Sequence, residues 1–168
     1  MKHLRRFLKF MHTVTGLGLL GGLAAYMIVL GTAPEISTLE QHAALRHSLR
    51  LVSTWLLMPS MLLVLVSGLL AMAITDAYKS ALWVWAKALS GVLIIEATFA
   101  GIDAPAKRAA KAYAEAAAGT IDTQRVAELV HDEWMAWWII LALGVLNIAV
   151  GIWRPKFERR KKREAVEA

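Results

Sequence analysis

The sequence predicts an all-α membrane protein, a bundle of four transmembrane helices with helical extensions on one face. Three observations predict it. Of the 168 residues, 58% are hydrophobic, against roughly 45–50% in soluble domains. The apolar residues gather into four segments, 10–31, 51–74, 81–100 and 134–153, each close to the roughly 20 residues needed to cross a bilayer core. Lys and Arg flank these segments instead of mixing with them, as in polytopic membrane proteins. At this length a single domain is expected, residues 1–157, followed by a charged tail, 158–168.

Composition also excludes some chemistry. With no cysteine, disulfides, iron–sulfur clusters and thiolate metal sites are out of reach. The net charge of +6 surrounds apolar spans, so it reads as topogenic and in contact with lipid headgroups, not as a nucleic-acid surface. The sequence contains no phosphate loop, nucleophile elbow, zincin motif or nucleic-acid module. The lipid bilayer is the partner that composition implies.

Span one ends in "GTAP", which looks like a signal-peptide cleavage site. The proline directly after the candidate cut argues against processing, so the segment is read as a span. Its Gly18 and Gly22 form a small-xxx-small face suited to close helix approach. Lys2, Arg5, Arg6 and Lys9 precede it, Lys79 separates spans two and three, and the basic tail follows span four. This distribution puts both termini in the cytoplasm. Trp83, Trp85 and Trp153 then anchor the inner interface, and Trp134, Trp137 and Trp138 the outer one.

The outer connections read as helical. "STLE" at Ser37–Glu40 has the form of a capping box and opens a helix running into span two. Within that span Pro59 removes one donor and frees the Trp55 carbonyl, which predicts a kink. The outer insertion, about 103–131, has Asp103 as a cap, Pro105 in the first turn and Gly119 as a stop. Asp122 is placed to cap a further helix leading into span four.

Within the spans, the strongly ionisable residues are His12, Lys87 and Glu96, and such residues are expensive in hydrocarbon unless paired. His12 and Lys87 fall at similar depth on the inner side. Each is followed four residues on by a glycine, Gly16 and Gly91, on the same helix face. Two nitrogen donors at one level beside bare backbone suit a flat macrocycle, with axial ligation of haem iron as the matching chemistry. The plainer alternative is a Lys87 that snorkels to the interface and a His12 that bonds a backbone carbonyl. Glu96 points away from Lys87 and lies roughly 13 Å along the axis, so the two do not pair.

The outer face carries His42, His47, Glu128, His131, Asp132 and Glu133. "ELVH" at Glu128–His131 is half of a di-metal carboxylate motif. With His47 it would suit a transition metal, although hydrated loops hold such residues freely. Met58, Met61 and Met72 read as apolar filling.

The ordered stretches "LKFMHTVTGLGLLGGL", "RLVSTWLLMPSMLLVLVSGLL", "LWVWAKALSGVLI" and "RPKF" resemble a bacterial four-helix integral membrane family of unknown function. That family is related to the CopD copper-resistance domain and to HemJ, a membrane protoporphyrinogen oxidase. The resemblance implies haem b held by a first-span His and a third-span Lys, here His12 and Lys87. It also implies a bacterial inner membrane as the location. The long Ala-rich outer insertion departs from HemJ, and so does the lack of most of its polar pattern, so protoporphyrinogen oxidation does not carry over. Three functions follow as expectations. One is haem b between helices one and three, with a redox or haem-handling role. Another is CopD-like metal handling through His47, Glu128 and His131. The last is an accessory subunit docking on a membrane-protein partner or a second copy.

Overall fold

The computed structural model of the chain describes residues 2–33, 37–75, 78, 81–129 and 133–153. Its helices are α1 (Lys2–Gly31), α2 (Leu39–Val52), α3 (Met58–Ala73), α4 (Leu82–Thr98), α5 (Ala104–Ala117), α6 (Thr123–Leu129) and α7 (Trp134–Trp153). No strand occurs among the described residues. A π-helical turn at Ser53–Leu57 joins α2 to α3, and another at Phe99–Asp103 joins α4 to α5. Two continuous rods therefore run Leu39–Ala73 and Leu82–Ala117. With α1 and α7 they make four helices long and apolar enough to cross a membrane, and the protein is a multi-pass membrane protein. The charged tail, 158–168, lies outside the described residues.

A rod of 35 residues is about 52 Å long, against roughly 30 Å of hydrocarbon. The surplus forms a hairpin at one end of the bundle, in which α2 packs against α5. Each rod carries its proline two residues beyond its π turn, Pro59 after Leu57 and Pro105 after Asp103. The backbone N–H of Met58 reaches back to Ser53, and that of Ala104 to Phe99. These five-residue steps widen the helix where the proline ring would press on the carbonyl four residues earlier. The kink expected at Pro59 is thus realised as a π turn.

Two predicted caps are corrected. The cap of α2 is Thr38, not Ser37: it is extended (φ −114°, ψ 148°) and its hydroxyl accepts from the Gln41 N–H at 3.3 Å. The capping register lies one residue later because Thr38, with Gln41 three residues on, offers the same chemistry. Asp103 is not a cap. Its backbone is helical (φ −67°, ψ −48°), whereas a cap is not, and no helix begins there because α4 continues into α5. Its buried carboxylate accepts from Ser53 Oγ at 2.9 Å and Lys107 Nζ at 2.7 Å. Gly119 does stop α5, at φ +72°. The Gly119 N–H reaches Ala116 O at 3.0 Å and the Thr120 N–H reaches Glu115 O at 2.9 Å, which is a Schellman closure. Asp122 caps α6, accepting from the Gln124 N–H at 3.4 Å.

In the bundle α1 lies along α3 and α4 along α7, and the two pairs meet through α3 and α4. The small face of α1 serves the first pairing: a Cβ on Gly18 would stand 2.7 Å from Ser60 Oγ, and one on Gly22 2.9 Å from Leu57 Cδ2. Toward the hairpin end the core is tight, with Leu23, Tyr26, Leu49, Leu57, Ile102 and Ala106 fully or almost fully buried. A polar lock crosses the same level. Buried Glu133, just ahead of α7, accepts from Arg46 Nη1 at 3.0 Å and Tyr26 Oη at 2.5 Å. Arg46 also stands 6.0 Å over the Tyr113 ring, on which His42 stacks at 5.1 Å.

A Cβ on Gly101 would lie 2.5 Å from Ala136 Cβ, an atom with no rotamer to yield. Gly101→Ala is expected to lower stability by about 1–3 kcal/mol. Gly21→Ala, whose Cβ meets nothing within 4 Å, should be neutral or slightly stabilising; denaturation midpoints in detergent compare the two. Glu133→Ala strands the buried Arg46 charge and should cost about 3–5 kcal/mol, with Glu133→Gln losing visibly less in the same assay.

Candidate functional site

At the end of the bundle remote from the hairpin the helices stand apart and enclose a cavity of about 620 Å³, within the roughly 300–1,000 Å³ of ligand pockets. All four long helices contribute to its wall. Leu65, Leu69, Met72 and Val84 supply much of the apolar surface, and Tyr78 and Trp83 meet edge to face at 5.7 Å beside them. The polar lining combines the basic residues Arg5, Lys9, His12 and Lys87 with neutral Thr13, Thr75, Tyr78 and Asn147. Among the described residues no Asp or Glu lines the cavity.

His12 enters this wall from α1. Its Nδ1 lies 2.9 Å from Val64 O and 3.3 Å from Ser67 Oγ. A carbonyl only accepts, so Nδ1 carries a proton, and when the ring is neutral its lone pair lies on Nε2. A Cβ on Gly68 would stand 3.3 Å from His12 Cε1, so this glycine of α3 makes room for the ring. Arg5 Nη2 donates to Ile74 O at 2.9 Å, tying the start of α1 to the end of α3.

Lys87 lines the same cavity from α4, with its ammonium engaged. Nζ donates to Asn147 O and to Asn147 Oδ1, both at 2.8 Å. Asn147 Nδ2 donates back to Lys87 O at 3.1 Å and to Ser90 Oγ at 2.6 Å. Gly151 lies beneath: a Cβ there would fall 2.7 Å from Nζ. This reciprocal clamp joins α4 to α7.

No family model, curated protein or solved structure matches this chain. The site therefore has to be read from its own geometry.

The structure brings His12, Lys87 and Gly91 to one cavity, whereas Gly16 is not among its lining residues. A Cβ on Gly16 would meet Val64 Cγ2 at 4.0 Å, and one on Gly91 would meet Leu65 Cδ1 at 3.4 Å. Helical side chains lean toward the N-terminus of their own helix. His12 and Lys87 thus lean away from the glycines four residues on, and the clearing glycines, Gly68 and Gly151, sit on the facing helices.

The outer residues are placed otherwise. His47 is exposed beside Arg50, Lys107 and Lys111, and exposed Glu128 pairs with Arg125. His131 and Asp132 lie outside the described residues. Among the described residues no three His, Asp or Glu side chains gather as a metal group. Glu96 is exposed on α4, away from the bundle interior.

Sequence reading passed over Asn147, Tyr26 and Ser67. Asn147 had a signal, an amide inside "LALGVLNIAVGIW", since a polar side chain in a span seeks an interhelical partner. Tyr26 and Ser67 are ordinary residues until the fold supplies Glu133 and His12. Asn147→Leu removes an acceptor of a charged donor and should cost about 1–3 kcal/mol. Combining it with Lys87→Met should restore most of that stability in denaturation assays, because no charge is then left unpaired.

Proposed function

We propose that this protein binds haem b in the four-helix cavity, with His12 Nε2 as the iron ligand, and serves a redox or haem-handling role. The observation that carries the reading is the setting of His12: its Nδ1 is held by Val64 and Ser67, its Nε2 makes no hydrogen bond among the described residues, and it stands on the wall of a large cavity. A ligating histidine characteristically has its other ring nitrogen held in this way. Haem iron in such a site supplies one-electron or oxygen chemistry.

The chain's own residues have definable tasks. Val64 and Ser67 fix the tautomer and orientation of the imidazole. Arg5 and Lys9, which line the cavity, suit the two carboxylates that an amphipathic macrocycle carries. Leu65, Leu69 and Met72 exclude water. Lys87 acts in this reading as the clamp to Asn147, since ligation would require a neutral amine released from two acceptors. The charge pattern around the spans supports both termini being cytoplasmic, which opens the cavity end toward the cytoplasm, and the family resemblance supports a bacterial inner membrane.

Protein purified from haem-replete cells should show a Soret band that His12→Ala abolishes. Lys87→Met should retain it, and Gly68→Leu, which fills the space beside the imidazole, should reduce haem content several-fold. Colourless wild-type protein overturns the proposal, and equal loss of the band in Lys87→Met would make Lys87 a second ligand.

A further inference from the structure

A second recess lies between α2 and α5, far from the cavity. It is a shallow, open depression of about 380 Å³, lined by His47, Arg50, Lys107, Ala110 and Lys111. Four of these five residues are basic or titratable, and none is acidic.

The charges around it do not cancel. Arg46, one turn away on α2, is neutralised by Glu133. Lys107 is held by Asp103, whose side chain is 1% exposed and also binds Ser53, so that carboxylate is spent inside the fold. Lys111 approaches Glu115 at 3.8 Å with both side chains solvated, a pairing worth about 0–1 kcal/mol. Half-buried Arg50 makes no ion pair among the described residues. Arg50 and Lys111 are thus surplus cations on one concave surface, with His47 beside them. Like charges gathered without a counter-charge raise the local potential and attract an anion.

Depth narrows the class of anion. The Ser53–Asp103 hydrogen bond sets the register of α2 against α5, within three residues of the ends of the apolar segments 51–74 and 81–100. Measured from there, Arg50, Lys107 and His47 stand about 4–9 Å further out and Lys111 about 12 Å. A headgroup layer is roughly 5–7 Å thick, so Arg50 and Lys107 fall at phosphate depth, with His47 and Lys111 on its water side. A guanidinium fork with flanking ammonium groups matches a phosphoryl oxygen cluster.

We propose that this recess is a binding site for a phosphoryl anion, supplied by the headgroup of an anionic phospholipid or by a soluble phosphate ester. The site is independent of the haem reading.

Native mass spectrometry of the full-length protein tests it, with phosphatidylglycerol, phosphatidylcholine and glycerol 3-phosphate as separate probes. Phosphatidylglycerol should be retained in preference to phosphatidylcholine. The double variant Arg50→Gln/Lys111→Gln should weaken that retention roughly tenfold to thirtyfold. Arg50→Lys should weaken it less, and the melting temperature, which checks folding, should stay unchanged. Glycerol 3-phosphate bound by the wild type and lost in the double variant, without a lipid preference, assigns the soluble source. Equal retention of both lipids with no glycerol 3-phosphate bound overturns the proposal, as does a folded double variant that binds like the wild type.

Discussion

Hydrocarbon offers no hydrogen-bond partner, and most of this structure follows from how the chain meets that constraint. Lys87 and Asn147 answer each other across α4 and α7, with Ser90 taking the remaining amide proton. His12 borrows a carbonyl of α3. Where the rods leave the bundle, Ser53 and Asp103 join the two π turns, and Arg46, Glu133 and Tyr26 close the level beside them. Arg46 Nε and Thr54 Oγ1 remain buried without a partner, both in the same junction. Each device ties two helices, so satisfying polar groups and specifying helix pairing are one event.

The bundle divides its length into two kinds of packing. Toward the hairpin, small residues bring helices into contact and leave large side chains such as Tyr26 and Leu57 with no exposure. Toward the chain termini the helices diverge and the apolar wall is kept open. A rigid end that fixes helix positions and an open end that receives a ligand agree with sites being held by a well-packed scaffold. The glycines follow this division. Gly18, Gly22 and Gly101 admit neighbouring helices, while Gly68 and Gly151 admit the side chains of His12 and Lys87.

What the sequence made legible was local. The presence of four apolar helices, the Gly119 stop and the Asp122 cap depend on hydropathy and on residues a few positions apart, and these appear as expected. The gathering of His12 and Lys87 at one cavity was legible from depth alone. The partners of each were not, because Val64, Ser67 and Asn147 are distant in sequence and unremarkable in type. Asp103 misled for a related reason: an acidic residue ahead of a proline carries the local signature of a cap, and only its contact with Ser53 reveals a different duty. Thr38 and Ser37 differ by one position in a pattern that tolerates either.

The two π turns have a consequence for how the protein tolerates change. A π turn holds one residue more than the α-helical turn it replaces, and one residue of helix is about 100° of rotation. Each rod therefore carries a built-in phase offset between its membrane half and its hairpin half. On α2 that offset decides whether Arg46 and Leu49 face the core, and on α5 it orients the buried alanine stripe. The helix could close over a single-residue deletion within either turn with its hydrogen bonding intact, yet the hairpin would then be rotated away from its own buried face. For this chain, insertions and deletions at the π turns act as angular errors, while the same changes at Thr120 and Ile121, between α5 and α6, alter loop length.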